Sequence, residues 1–311
     1  SPLRPGEDVL VSGMGLAFVD LMVLLMEGRG GRFTGEGSRL VYEPSGQEPV
    51  LWVGSRRGVP YHSKTTSVLR GTDPGTLQFL THEAVQQLLE DHERLSFFNH
   101  LWPLVLKECG HSWYREILTG SPERARMSWP DFRARYEPLE WFSPEREDLV
   151  GQAVPDPGLH LDLERLDIPF AGRLFADHHD VQQALVDYIR DDLTTRTSPD
   201  HSETLALFLS LLRAYMEIGR LVPTDRLDDA SRRLLSGWWH GFFSFVDSGP
   251  PPHRLQELLA LHRAGLVRFL GPQMWIDTDE DTGRFRAGSA QSPVVVTACA
   301  LVEARLPTPA V

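Results

Sequence analysis

Apolar and polar positions divide the chain into three stretches with different periods. Asp8-Val9-Leu10-Val11-Ser12 is a short, almost continuously apolar run, Gly13-Met14-Gly15 interrupts it, and Leu16 to Met26 is again apolar and compatible with a helix. A strand of this kind followed directly by an apolar helix suits a parallel sheet buried on both faces. A Gly-rich bridge from Glu27 to Gly37 follows. Arg39-Leu40-Val41-Tyr42 and Val50-Leu51-Trp52-Val53 then read as strands, with turn chemistry at Glu43-Pro44-Ser45-Gly46 between them.

From about Phe79 to about Phe245 the helical period dominates. A pattern starting at Thr81 or His82 places Val85, Leu88 and Leu89 on one face. Leu101, Leu104, Val105 and Leu106 belong to a second helix. After Asp180 a third carries Val181, Ala184, Leu185, Tyr188, Ile189 and Leu193. Leu205, Phe208, Leu209, Leu212, Tyr215 and Met216 mark a fourth. The polar, proline-bearing stretch Ser143 to Pro157 reads as a surface loop. The two periods alternate again at the end. Pro252 to Gly265 is a helix with Gly265 as its C-cap, and Leu266 to Leu270 and Met274 to Ile276 are strands. A turn over Asp277 to Gly283 leads into Arg284 to Ala287, and Pro293 to Thr297 reads as a last buried strand.

Composition narrows the function classes. The net charge of -12 argues against general nucleic-acid binding, which needs a positive field. No run approaches the roughly 18 apolar residues of a membrane span. No basic region and apolar core of a signal peptide open the chain, so a cytoplasmic location is expected. The two cysteines, Cys109 and Cys299, stand far apart and read as buried thiols of a reducing compartment; they form no zinc signature. The absence of an initiator Met and the unfinished look of Leu306 to Val311 suggest a piece of a longer protein.

The chemistry concentrates near the start. A dinucleotide pyrophosphate is held where a strand ends in a glycine turn and a helix presents its free N–H groups. Gly13, Gly15 and Leu16 stand at those places, with Phe18 at the third fingerprint position in place of Gly or Ala. A tight strand–helix turn in any α/β domain would look the same. The next strand ends in Ser55-Arg56-Arg57, where an acidic residue would favour NAD and arginine accommodates the 2'-phosphate of NADP. Those arginines lie about 40 residues beyond Gly15, twice the usual spacing of roughly 20, so Gly28 to Gln47 must loop out as a hairpin. His62 and Lys64 follow and either line the same anionic pocket or form a surface turn.

These residues expect an α/β fold. Residues 1–78 would be a Rossmann-like NAD(P)-binding half, 79–250 a mainly helical insertion and 251–311 a return to α/β. The segment from Val11 to Asp20, with Gly54-Ser55-Arg56-Arg57-Gly58-Val59-Pro60-Tyr61-His62, resembles the NADP module of bacterial FAD/NAD(P)-binding flavoproteins. That group is similar to the flavin-dependent N-hydroxylating and Baeyer–Villiger monooxygenases. Those proteins place an acidic residue seven positions after the first glycine, where Asp20 stands relative to Gly13. Arg254 to Leu270 and Leu301 to Pro307 also look like parts of that family. The resemblance implies an oxidoreductase that binds NADPH and delivers hydride to a flavin, with a small-molecule substrate. Gly-x-Gly-x-x-Gly, the family's FAD fingerprint, occurs nowhere in this sequence, so FAD is expected of the parent protein. A non-catalytic NAD(P)-binding or interaction module is the alternative.

Other clusters have ordinary readings. Asp277 to Gly283 departs from the calcium-loop spacing and reads as a hairpin turn. His178-His179 read as surface residues at a helix start, and Asp191-Asp192 and Asp228-Asp229 as solvated faces or caps. The aromatic run Trp238 to Phe243 reads as core or interface, with a substrate- or flavin-facing wall as the alternative.

Overall fold

The computed structural model describes residues 3–73 and 75–305, except for the side chains of Leu221 and Thr224. Leu306 to Val311, including the end of the family-like segment Leu301 to Pro307, lie outside the described residues. In chain order the elements are β1 (Asp8–Ser12), α1 (Leu16–Leu25), β2 (Arg32–Thr34), β3 (Val41–Glu43) and β4 (Val50–Gly54). Helices follow: α2 (His82–Asp91), α3 (Trp102–Gly120), α4 (Trp129–Tyr136), α5 (Pro144–Ala153), α6 (Leu163–Asp167), α7 (His178–Thr197), α8 (Glu203–Leu221), α9 (Asp229–Leu234), α10 (His240–Asp247) and α11 (Pro252–Arg263). Last come β5 (Val267–Gly271), β6 (Met274–Asp279), β7 (Arg284–Ser289), β8 (Val295–Ala298) and β9 (Ala300–Glu303). They divide into two compact units: Ser1–Lys64, Leu163–Thr194 and Ser248–Val311 form one, Thr65–Asp162 and Thr195–Asp247 the other.

The first unit is α/β. Its four-stranded sheet has the order β5-β4-β1-β9, and every pairing is parallel. Val9, Leu10 and Val11 of the central β1 are fully buried, each contributing about 1.5–3 kcal/mol of apolar burial. Side chains alternate across a strand. Leu10 therefore faces Trp52, Leu270, Ala287 and Ala298, where the antiparallel meander β6-β7-β8 packs, while Val9 and Val11 face the other way. The edge strand β5 is closed by the buried Gln182 of α7. Its side-chain amide donates to the Phe269 carbonyl at 2.7 Å and accepts the Phe269 N–H at 2.9 Å, acting as one more rung of the ladder.

The expected hairpin in Gly28 to Gln47 is present as β2 and β3, paired antiparallel through Phe33 and Tyr42 in a sheet of their own. The buried Glu48 carboxylate ties its base, accepting the Tyr42 hydroxyl at 2.9 Å and the backbone N–H of Ser45 and Gly46 at 2.8 and 3.0 Å. The strand expected at Arg39 to Tyr42 begins only at Val41, because Gly37–Arg39 makes a tight helical turn.

The second unit is helical. α3 and α8 pack along one another. Tyr114, Ile117 and Leu118 of α3 join Phe132 and Tyr136 of α4 and Leu149, Val150 and Ala153 of α5 in one core. Trp239 and Phe242 of the aromatic run are buried, and with the half-buried Trp238 they pack among Phe97 and Trp102 at ring separations of 5.2–6.3 Å.

Several expectations need correction. Ser143 to Pro157 is largely the helix α5, not a loop. The Ser143 hydroxyl caps it by accepting the Arg146 N–H at 3.3 Å, Pro144 occupies the tolerated first turn, and Leu149, Val150 and Ala153 bury its inner face. The third helix begins at His178, ahead of Asp180, because the Asp177 carboxylate accepts the Asp180 N–H at 2.9 Å. Pro293 to Thr297 is not a buried strand: β8 starts at Val295, lies in the antiparallel meander and leaves Val295 47% exposed. Cys299, in the bend between β8 and β9, is exposed, and only Cys109 is a buried thiol.

α3 also buries charge. Glu108 is 1% exposed, and burial pushes its carboxyl up to about 7 despite the backbone N–H groups of Phe79 and Gln78 that it accepts. A carboxyl whose pKa is raised by folding stabilises the native state below its unfolded value of about 4.3, and that contribution is lost as pH rises through 7. Glu108→Gln keeps the accepting oxygen and removes the charge. The variant should gain thermal stability relative to the parent between pH 5 and pH 8. Equal pH slopes for the two melting curves would exclude this role for Glu108.

Candidate functional site

The carboxyl end of β1 is where this sheet changes direction. From β1 the chain passes through α1 and the β2–β3 hairpin to β4 on one side, while β9 lies on the other side. In open α/β sheets the crevice at such a switch point receives ligands. Gly13, Gly15 and Leu16 stand there. The turn is pinned from both neighbours: the Gly13 N–H donates to the Gly54 carbonyl at 2.8 Å, and the Ala304 N–H donates to the Ser12 carbonyl at 2.8 Å.

Packing within the chain already demands glycine at Gly13 and leaves little room at Gly15. Gly13 has φ +115°, and a β-carbon there would lie 2.9 Å from the Ala304 carbonyl carbon and oxygen. At Gly15 a β-carbon would meet the Tyr61 ring at 3.2 Å, because the Tyr61 N–H donates to the Met14 carbonyl and brings the ring over the turn. Packing does not account for the state of the helix end. α1 starts with Gly15 as its N-cap, without a capping side chain and without an acidic residue in its first turn. Its free N–H groups and the positive end of its dipole therefore remain available to an anion. Phe18 is fully buried at the place where the usual third glycine would allow close backbone contact between helix and strand.

The structure separates the polar residues expected around the turn into distinct roles. Ser55 shapes the loop after β4, its hydroxyl accepting the Gly58 N–H at 2.9 Å. Arg56 is exposed, and its backbone carbonyl accepts the Gln273 N–H at 2.9 Å. Arg57 is committed elsewhere: Nε donates to the Asp167 carbonyl and carboxylate, both at 2.9 Å, and Nη2 pairs with the same carboxylate. Asp20 is exposed on α1, and Lys64 is exposed with its N–H on the Pro250 carbonyl. His62 is buried. Its Nδ1 lies 2.5 Å from Asp192 Oδ1, and its Nε2 lies 3.2 Å from the Tyr188 hydroxyl. Asp192 also accepts the Ser63 N–H at 2.9 Å. Asp192 is therefore a buried partner of His62, not part of a solvated face; a helical period does not show which loop will cross a helix.

Residues outside the sequence motif complete the edge. Ser12 of β1 lies opposite Glu303 of β9, and Glu303 is bonded by Arg305 at 2.6 and 2.7 Å. The Arg305 guanidinium holds that carboxyl below its ordinary value, with Ser12 helping. Arg305 Cγ comes within 3.0 Å of where a Gly13 β-carbon would be, so this pair borders the turn directly. Only strand order brings Glu303 and Arg305 to Gly13, and no local pattern carries that information. The arrangement suits the binding of a dinucleotide phosphate: a bare helix N-terminus, a close backbone turn and an exposed arginine at the end of the adjacent strand.

Comparison with known proteins adds the chemistry. No protein-family profile matches the chain. Across nearly its whole length it is similar to N-monooxygenases. Two of them are L-aspartate N-monooxygenases (nitrosuccinate-forming): that of Streptomyces davaonensis is 34% identical over 98% of this chain, and that of Streptomyces cremeus 33% identical over 99%. Nitrosuccinic acid synthase of Aspergillus oryzae is 30% identical over 99%. The chain spans about half the length of these curated relatives, 46–48% in each case. Of the two monooxygenase types named by the sequence resemblance, these belong to the one that oxidises nitrogen.

Backbone strain at Gly13 is testable alone. Gly13→Ala forces a β-carbon against Ala304 at a positive φ and should destabilise the chain by about 1–3 kcal/mol. Gly15→Ala, facing only a side-chain ring, should cost less. Thermal unfolding of both variants checks the order, and an unperturbed Gly13→Ala would show that the turn is not built as described.

Proposed function

We propose that this chain is the NADP-binding portion of an FAD- and NADP-dependent flavoprotein that oxidises the amino nitrogen of L-aspartate or a close dicarboxylic amino acid. The observation that carries the reading is the uncapped N-terminus of α1, placed after the Gly13-Met14-Gly15 turn at the sheet's switch point. It occurs in a chain similar along 98% of its length to an L-aspartate N-monooxygenase.

In this reading the N–H groups at Gly15 and Leu16 take the pyrophosphate, and Ser55 fixes the loop that presents Arg56. Arg56 takes the 2'-phosphate that distinguishes NADPH from NADH. Arg57 acts through Asp167, anchoring that loop to the end of α6. Tyr61 walls the turn above Gly15, and the His62–Asp192 pair fixes the segment that carries it. Asp20, at the position used by the resembling family, supports the helix start. Lys64, exposed after the same loop, is a further candidate for the anionic pocket. When bound, NADPH supplies the hydride and FAD, held by the parent protein, the oxygen-activating centre. Conversion of an amine to a nitro group needs repeated transfer of oxygen to nitrogen, and each transfer draws on the reductant. A dedicated NADPH site is consistent with that demand.

Calorimetric titration tests the cofactor. NADPH should bind the chain more tightly than NADH, and Arg56→Ala should weaken NADPH by about tenfold or more while leaving NADH unchanged. Equal loss for both nucleotides would remove Arg56 from the 2'-phosphate. In the parent protein, L-aspartate should stimulate NADPH oxidation and yield nitrosuccinate detectable by mass spectrometry. Oxidation that is indifferent to L-aspartate would exclude the substrate assignment.

A further inference from the structure

The helical unit buries ionisable side chains along one helix. Glu108, His111, Arg115 and Glu116 of α3 are each 1–4% exposed. The two carboxylates are used on backbone. Glu108 Oε1 accepts the N–H groups of Gln78 and Phe79 at 2.5 Å, and Glu116 Oε1 accepts those of Arg70 and Gly71 at 2.7 and 3.0 Å. Between those anchors in sequence, Asp73 places its carboxylate on two guanidiniums. Arg213 of α8 grips it with both ends of its fork, Nη1–Oδ1 at 3.0 Å and Nη2–Oδ2 at 2.6 Å, while Arg115 Nη2 reaches Oδ1 at 3.4 Å. The Gly75 N–H also donates to Oδ1 at 3.0 Å.

Three features set this group apart from a closed structural ion pair. The Arg115 Nε is buried and has no hydrogen-bond partner among the described residues, an omission that costs about 1–3 kcal/mol where it is not met by a ligand or water. The Arg115–Asp73 contact is long. The side chains of Asp73 and Arg213 keep 17% and 26% of their exposure, so the carboxylate is reachable from solvent. Burial alone would raise the Asp73 carboxyl, but Arg213, the Gly75 N–H and the Arg115 charge hold it below its ordinary value and keep it ionised.

We propose that Arg115 and Arg213 form a carboxylate-binding site for a small dicarboxylate of the L-aspartate class, with Asp73 as an internal occupant that the ligand's carboxylate displaces. A guanidinium fork matches a carboxylate in plane and charge, which a lysine would not do. Exchange of one carboxylate for another leaves no buried cation without a counterion, so the site can open without a large electrostatic cost. The choice of ligand rests on the N-monooxygenase reading; the carboxylate chemistry of the site does not.

The test is titration of the whole chain with L-aspartate, with succinate, and with succinamide as the neutral isostere, each alongside a thermal melt. Asp73→Asn and Asp73→Ser remove the competing charge and should each tighten L-aspartate and succinate about tenfold. Arg213→Ala should weaken both about tenfold or more, Arg213→Lys should weaken them less, and succinamide should not bind. Absence of dicarboxylate binding in both the parent chain and the folded Asp73 variants overturns the proposal, as does an affinity that none of the substitutions moves. If the parent protein oxidises L-aspartate while those affinities stay fixed, the site fails and the function stands. If the affinities respond but L-aspartate is not oxidised, the site stands and the function reading fails.

Discussion

A parallel strand with partners on both sides leaves the chain a single exit, over its own carboxyl end. β1 is in that position, paired with β4 and β9 and fully buried along Val9, Leu10 and Val11. Leaving it requires a backbone that turns at once and lies close to both neighbours, and Gly13 supplies this with a positive φ against the Ala304 backbone. The rest of the candidate site follows from this constraint. The helix must start at Gly15, its N–H groups must face the crevice, and the loops after β4 and β9 must end beside it.

The polar residues around that crevice divide by whether their charge is already matched. Asp167 matches Arg57, and Asp192 is hydrogen-bonded to His62, in both cases in buried surroundings where removing one partner would strand the other. Those pairs tie segments distant in sequence to the sheet. Arg56 differs, because it is exposed at a strand end without an acidic residue beside it in sequence. The same sorting applied to the helical unit separates Glu108 and Glu116, which serve backbone N–H groups, from Arg115, whose hydrogen-bonding capacity is incompletely used.

The similarity to L-aspartate N-monooxygenases and the uncapped helix start after the glycine turn are observations from independent directions. One is a statement about ancestry along nearly the whole chain, the other about local backbone chemistry at a single turn. The chain accounts for about half the length of those relatives.

Local chemistry was legible in the sequence where it was short-range. The apolar run, the Gly13-Met14-Gly15 break and the helix after it determine a strand–turn–helix by steric and burial rules that act within a few residues. The unusual spacing to Arg56 likewise announced the hairpin, whose turn lies between Thr34 and Val41. The α5 helix was hidden because Pro144 and its charged neighbours look like a loop until Leu149, Val150 and Ala153 are seen to share a buried face. Long-range pairing was not legible at all. That Arg57 meets Asp167, that His62 meets Asp192, that Glu303 borders Gly13 and that Asp73 reaches two arginines depend on strand order and helix packing. Residue type sets which partners are acceptable, but only the closed tertiary structure, by burying a charge and requiring a counter-charge beside it, decides which one is met.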